Sequence, residues 1–126
     1  MPNGYDGLFD TVWYVSNLSS YSKILLKAQK EIVDSIYESS LYSPKLLLRL
    51  TRLLDETEAI AEHAEASFQK ARPHIVEMNK SLTKRNKQFK KPFDDEDIES
   101  TLDDLKKRLV AHRKRIRTLA RSKKAT

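Results

Sequence analysis

The chain is 126 residues long, with 33% charged and 39% hydrophobic residues and a net charge of +6. Two glycines and four prolines are too few for the many turns an all-β fold needs. The absence of cysteine excludes disulfides, thiolate metal sites and thiol nucleophiles. Met1 to Gly7 has no basic stretch leading into an apolar run, as a signal peptide would. No apolar run reaches the ~18 residues of a membrane-spanning helix. The charge is uneven. Residues 1–79 hold 8 Lys/Arg against 11 Asp/Glu, a net of −3, and residues 80–126 hold 16 against 7, a net of +9.

A first helix is predicted over Asp6 to Glu38. Leu8, Val12, Val15, Leu18, Leu25, Ala28, Ile32 and Ile36 are spaced by threes, fours and one seven, as one helical face requires. The serines of Ser16 to Ser22 compete for backbone hydrogen bonds, so an irregular stretch or a later start is expected there. Tyr5, Phe9, Trp13 and Tyr14 cluster near the start of the chain. They serve either as core anchors or as a plug into a partner, because aromatic side chains dominate interface hot spots.

A loop follows over 39–43. Ser43 suits an N-cap and Pro44 the first helical position, where proline has no hydrogen bond to lose. The second helix, predicted over 44–90, carries the longest pattern. Leu47, Leu54, Ala61, Phe68, Ile75, Leu82 and Phe89 alternate with Leu50, Thr57, Ala64, Ala71 and Met78 in a heptad repeat, the mark of a coiled-coil or helical-bundle seam. Pro73 lies inside it. A kink is expected between Gln69 and Pro73, and the unbroken heptad phase favours one helix over two.

Lys90-Lys91-Pro92-Phe93 ends that helix, because the residue before a proline is pushed from helical geometry. A third helix is predicted over 94–121, with the seam Ile98, Leu102, Leu105, Leu109, His112, Ile116 and Leu119. Its acids gather at the start and its bases at the end, each facing the favourable pole of the helix dipole. The expected organisation is an N-terminal segment over 1–7, an antiparallel helical hairpin over 8–91, an amphipathic helix over 92–121 that extends from the hairpin or folds back, and a basic tail over 122–126.

Little points to chemistry. His63, His74 and His112 show no metal-binding spacing. Glu62, His63 and Glu65 read as a solvated charged face, and His112 as a register-setting seam residue or a fraying helix end. The carboxylates of Asp94 to Asp104 lack the pattern of a calcium loop. Ser100 and Thr101, each with an aspartate three residues on, have the spacing of an acidophilic phosphorylation site. No nucleophile elbow or phosphate-cradling glycine loop occurs. The expectation is a protein with no catalytic residue, cofactor, metal, membrane or small-molecule substrate.

The remaining signals concern partners. A helix of ~45 residues is about 68 Å long, against a radius of gyration near 13 Å for a compact domain of ~100 residues. On that ground, other helical subunits are expected to cover Leu47, Leu50, Leu54, Phe68, Ile75, Met78, Leu82, Ile98, Leu102, Leu105, Leu109 and Ile116. The basic residues Lys84, Arg85, Lys87, Lys90, Lys91, Arg113, Lys114, Arg115 and Arg117 are expected to form a docking segment for acidic protein, chromatin or microtubule surfaces. The function expected is a structural subunit of a nuclear, chromatin- or chromosome-associated complex, with the cytoplasm as the alternative location. The competing class is a nucleic-acid-binding protein using residues 80–124.

Overall fold

The computed structural model describes residues 6–38, 43–85 and 93–124, all of it helix and short helix-flanking turns. Helix α1 spans Asp6–Glu38, α2 spans Pro44–Arg85 and α3 spans Asp95–Lys124. The three pack against one another as an all-α bundle. α2 is antiparallel to both neighbours, and α1 and α3 run parallel. Phe9 stacks edge-on against Phe93 at one end, and Asp34 pairs with Arg115 toward the other.

Local chemistry fixes the helix starts. The Ser43 hydroxyl accepts from the Leu46 amide at 3.4 Å, and its carbonyl accepts from the Leu47 amide at 3.1 Å. Asp94 caps α3 likewise, its carboxylate accepting from the Asp97 amide at 3.1 Å. Asp95, Glu96 and Asp97 occupy the first turn, where the dipole favours acids. α2 continues through Pro73 as one helix, with Phe68 and Ile75 buried on either side in a single phase. α3 reaches Lys124, so Ser122–Lys124 belong to the helix rather than to a tail. Lys87, Lys90 and Lys91 lie outside the described residues.

The core falls into two clusters. One joins Leu8, Val12 and Val15 to Phe68, Ile75, Met78 and Leu102. The other joins Leu26, Val33 and Ile36 to Leu50, Leu54, Leu105, Leu109, Ile116 and Leu119. Full burial of side chains of this size contributes about 1.5–3 kcal/mol each. Between the clusters α1 presents buried Ser19 and Ser22, and α2 presents Ala61 and Ala64. The bundle therefore has a waist lined by small side chains.

Two expectations are corrected here. The buried stripe of α1 is Leu8, Val12, Val15, Ser19, Ser22, Leu26, Gln29, Val33 and Ile36, an unbroken heptad seam. Ala28 and Ile32 lie outside it, on the exposed surface. Apolar residues alone suggest the wrong phase because three seam positions are polar. Ser16–Ser22 is regular helix, and the buried Ser22 hydroxyl is satisfied by donating to the Leu18 carbonyl at 2.8 Å.

The second correction concerns coverage. Leu50, Leu54, Phe68, Ile75, Met78, Leu102, Leu105, Leu109 and Ile116 are all buried within this single chain. Leu47, Leu82 and Ile98 are half-buried and pack on the same two clusters. Helix length alone does not require a partner, because the molecule is not a compact globule. Helices of 33, 42 and 30 residues lying side by side form an elongated bundle, and α1 and α3 close the seam of α2 along its own length.

Candidate docking surfaces

The α2–α3 edge carries a ladder of ion pairs. Glu58, Glu65 and Arg72 follow one another at seven-residue intervals on α2, as Glu99, Lys106 and Arg113 do on α3. Arg113 donates to Glu58 at 2.8 Å and to Asp55 at 2.6 Å. Lys106 meets Glu65 at 3.0 Å, and Arg72 meets Glu99 at 2.7 Å and Asp95 at 3.7 Å. The signs run minus, minus, plus along α2 and minus, plus, plus along α3, so only the antiparallel register matches all three rungs, which is how charges flanking a helix seam select orientation. The two carboxylates on Arg113 hold its guanidinium protonated even more firmly than usual. The Glu65 carboxylate likewise raises the Lys106 ammonium.

Two members of the expected basic docking segment are thus internal struts. Arg113 belongs to the ladder. Arg115 pairs with Asp34, and its guanidinium sits 5.1 Å from the centre of the Tyr37 ring. Both sit at the flank of the α3 seam, where a long side chain reaches the neighbouring helix. Lys84, Lys107, Lys114, Arg117 and Arg121 are exposed. The last four lie on the outward face of α3, at spacings of seven, three and four.

A buried polar layer crosses the second core cluster. Gln29 donates to the Thr57 hydroxyl at 2.9 Å, and that hydroxyl donates to the Leu53 carbonyl at 2.7 Å. His112 enters the same level from α3 with 1% of its surface exposed, and neither ring nitrogen has a protein partner. Burial first, then the nearby cations Lys30 and Arg115, push the imidazole below its ordinary 6.5, toward the neutral form. His112 is therefore a fixed seam residue rather than part of a fraying end.

The outward face of α1 is the unusual surface. From Thr11 to Ser22 it carries no charged side chain, where a solvent-facing helix normally places its charges. Trp13, the only tryptophan in the chain, is 73% exposed, Ile24 is 66% exposed and Tyr21 is 53% exposed. Trp13, Asn17, Ser20 and Ile24 repeat at four, three and four residues. They form a second heptad-spaced stripe on the side of α1 opposite the core. Phe9 and Tyr14 flank it, Phe9 against Phe93 and Tyr14 against His63, with ring centroids 4.9 and 5.7 Å apart. Of the N-terminal aromatics, Phe9, Trp13 and Tyr14 are thus surface residues rather than core anchors, and Tyr5 lies outside the described residues. Asn17 and Ser20 conceal the stripe from any search for apolar residues alone. The uncharged run around it was the available signal.

Among the described residues no group of three or more His, Asp or Glu side chains is placed to hold a metal ion, and no helix is long and apolar enough to cross a membrane. The groove lined by Thr11, Tyr14, Lys70, His74 and Glu77 is open to solvent. Comparison with protein-family models, curated proteins and solved structures yields no match.

Proposed function

We propose that the protein is a non-enzymatic structural subunit of a multiprotein assembly, a preformed three-helix bundle that docks through the outside of α1. The observation that carries this reading is Trp13, 73% exposed on a helix face without charge. A large aromatic side chain presented on a rigid helix makes a strong anchor at low entropic cost. The leucine stripes supply the rigid scaffold, and partner helices meet its outside. The exposed cations Lys107, Lys114, Arg117 and Arg121 would meet an acidic surface, and the basic C-terminal third favours a nuclear, chromatin-associated setting. The same cations support nucleic-acid contact as a second reading. Phosphate binding weakens steeply with rising salt, whereas docking on an uncharged stripe changes little.

The test is affinity recovery of the full chain from its native cell, compared with a Trp13→Ala/Ile24→Ala variant. Loss of the same co-purifying proteins at low and high salt supports the proposal. Unchanged recovery, or recovery abolished by salt alone, contradicts it.

A further inference from the structure

We infer that the occupant of the α1 face is a second copy of this chain, joined through an antiparallel pairing of the two α1 helices. The inference rests on the docking reading and commits it to a partner. The ground is a self-complementarity written along the stripe. A two-fold axis between residues 18 and 19 sets each residue opposite the one whose number makes their sum 37. Trp13 then faces Ile24 of the second copy, and Asn17 faces Ser20. Asp10, the last charge before the uncharged run, faces Lys27, and both are exposed.

Each part of this pairing has a physical role. Trp13 and Ile24 are the two most exposed large apolar side chains among the described residues, and the axis buries each against the other, twice. Asn17 and Ser20 are small and sit beside the axis, where helix backbones approach closest. Asp10 and Lys27 close the two ends with opposite charges, and isologous symmetry doubles that pair as well. A parallel pairing in register would instead set Asp10 beside Asp10 and Lys27 beside Lys27, which is repulsive. The contact from Asp10 to Lys27 covers about 26 Å of helix and leaves the outward faces of α2 and α3 open.

Sedimentation equilibrium of the purified chain over about 1–200 µM tests the pairing, with Trp13 emission as a second readout. The expected result is a reversible dimer whose formation moves Trp13 emission to the blue. Trp13→Ala is expected to weaken it by about a hundredfold or more, since two hot-spot residues are lost per dimer. Asp10→Lys alone weakens it by about tenfold, and the Asp10→Lys/Lys27→Asp double variant restores it. Because the chain has no cysteine, introduced thiols report orientation. A mixture of Asp10→Cys and Lys27→Cys chains cross-links, while neither does so alone, the like positions being about 26 Å apart.

A native chain that stays monomeric across the range overturns the inference. So does a dimer that ignores the charge reversal, or one in which Asp10→Cys cross-links to itself. The docking reading fails independently of these results, if recovery of assembly proteins does not depend on Trp13 and Ile24.

Discussion

Gln29 of α1 donates its side-chain amide to the hydroxyl of Thr57 of α2 at 2.9 Å, well inside the bundle. The Thr57 hydroxyl spends its own proton on the Leu53 carbonyl, so its donor and one acceptor site are used, while the Gln29 carbonyl oxygen is left without a partner. His112 lies at the same level with both nitrogens unpartnered. One layer of an otherwise apolar seam is therefore polar and only half satisfied. Such a layer lowers stability while disfavouring registers that would set these groups against leucine.

His112 makes that layer sensitive to acid. Its imidazole is held below the ordinary 6.5 in the fold, so the unfolded chain takes up the proton first. Stability is full above about pH 6.5 and falls as pH drops below it, because protons then favour the unfolded state. Urea unfolding at pH 7.5 and 5 is expected to show the loss. His112→Leu should flatten the pH dependence and add about 1 kcal/mol or more at neutral pH, by removing two unpartnered buried atoms.

The ladder between α2 and α3 is expected to specify register more than it stabilises. Its groups are partly exposed, so each rung is worth about 1 kcal/mol or less. Arg113→Glu should cost somewhat more, by setting like charges against Glu58 and Asp55. Adding Glu58→Arg should recover about half, with Asp55 still opposed. A double-mutant cycle measured by chemical denaturation checks this, and a coupling near zero would contradict the ladder.

The inner and outer stripes of the bundle should respond oppositely to truncation. Phe68→Ala opens a cavity between α1, α2 and α3 and is expected to cost about 3–5 kcal/mol. Trp13→Ala removes a larger side chain yet, at dilutions where the chain is monomeric, should change stability by no more than about 0.5 kcal/mol, because in the single chain that side chain lies in water. Thermal unfolding of the two variants separates the stripes directly.

At the waist, Ser19 buries a hydroxyl with no partner. Ser19→Ala should therefore stabilise the bundle by about 1 kcal/mol. Ser22→Leu, at a fully buried neighbouring seam position, should destabilise it by about 1–3 kcal/mol through overpacking. Denaturation midpoints of the two variants provide the comparison.

The fold was legible wherever apolar residues alone carry the period. The seams of α2 and α3, the cap at Ser43 and the bounds of α1 follow from residue type and spacing. Two features were hidden by polar residues in structural positions. Ser19, Ser22 and Gln29 occupy the inner seam of α1, so the leucines and isoleucines beside them suggested a shifted face. Asn17 and Ser20 occupy its outer stripe and masked the spacing of Trp13 and Ile24. The basic surface was misjudged for a different reason. Net charge counts cations but not their partners, and Arg113 and Arg115 are answered by carboxylates on helices far away in sequence. For Arg113 the heptad spacing of Glu99, Lys106 and Arg113 against Glu58, Glu65 and Arg72 held the information, but it emerges only when two helices are aligned antiparallel.

The central claim is that the leucine seams are closed within one chain and that partners meet its outside. Circular dichroism during thermal unfolding of the Trp13→Ala/Ile24→Ala variant, at a dilution where it is monomeric, tests this most directly. The expected result is a fully helical monomer that melts in a single cooperative transition. A weakly helical chain without a cooperative transition, regaining helix only with another chain bound, would contradict it.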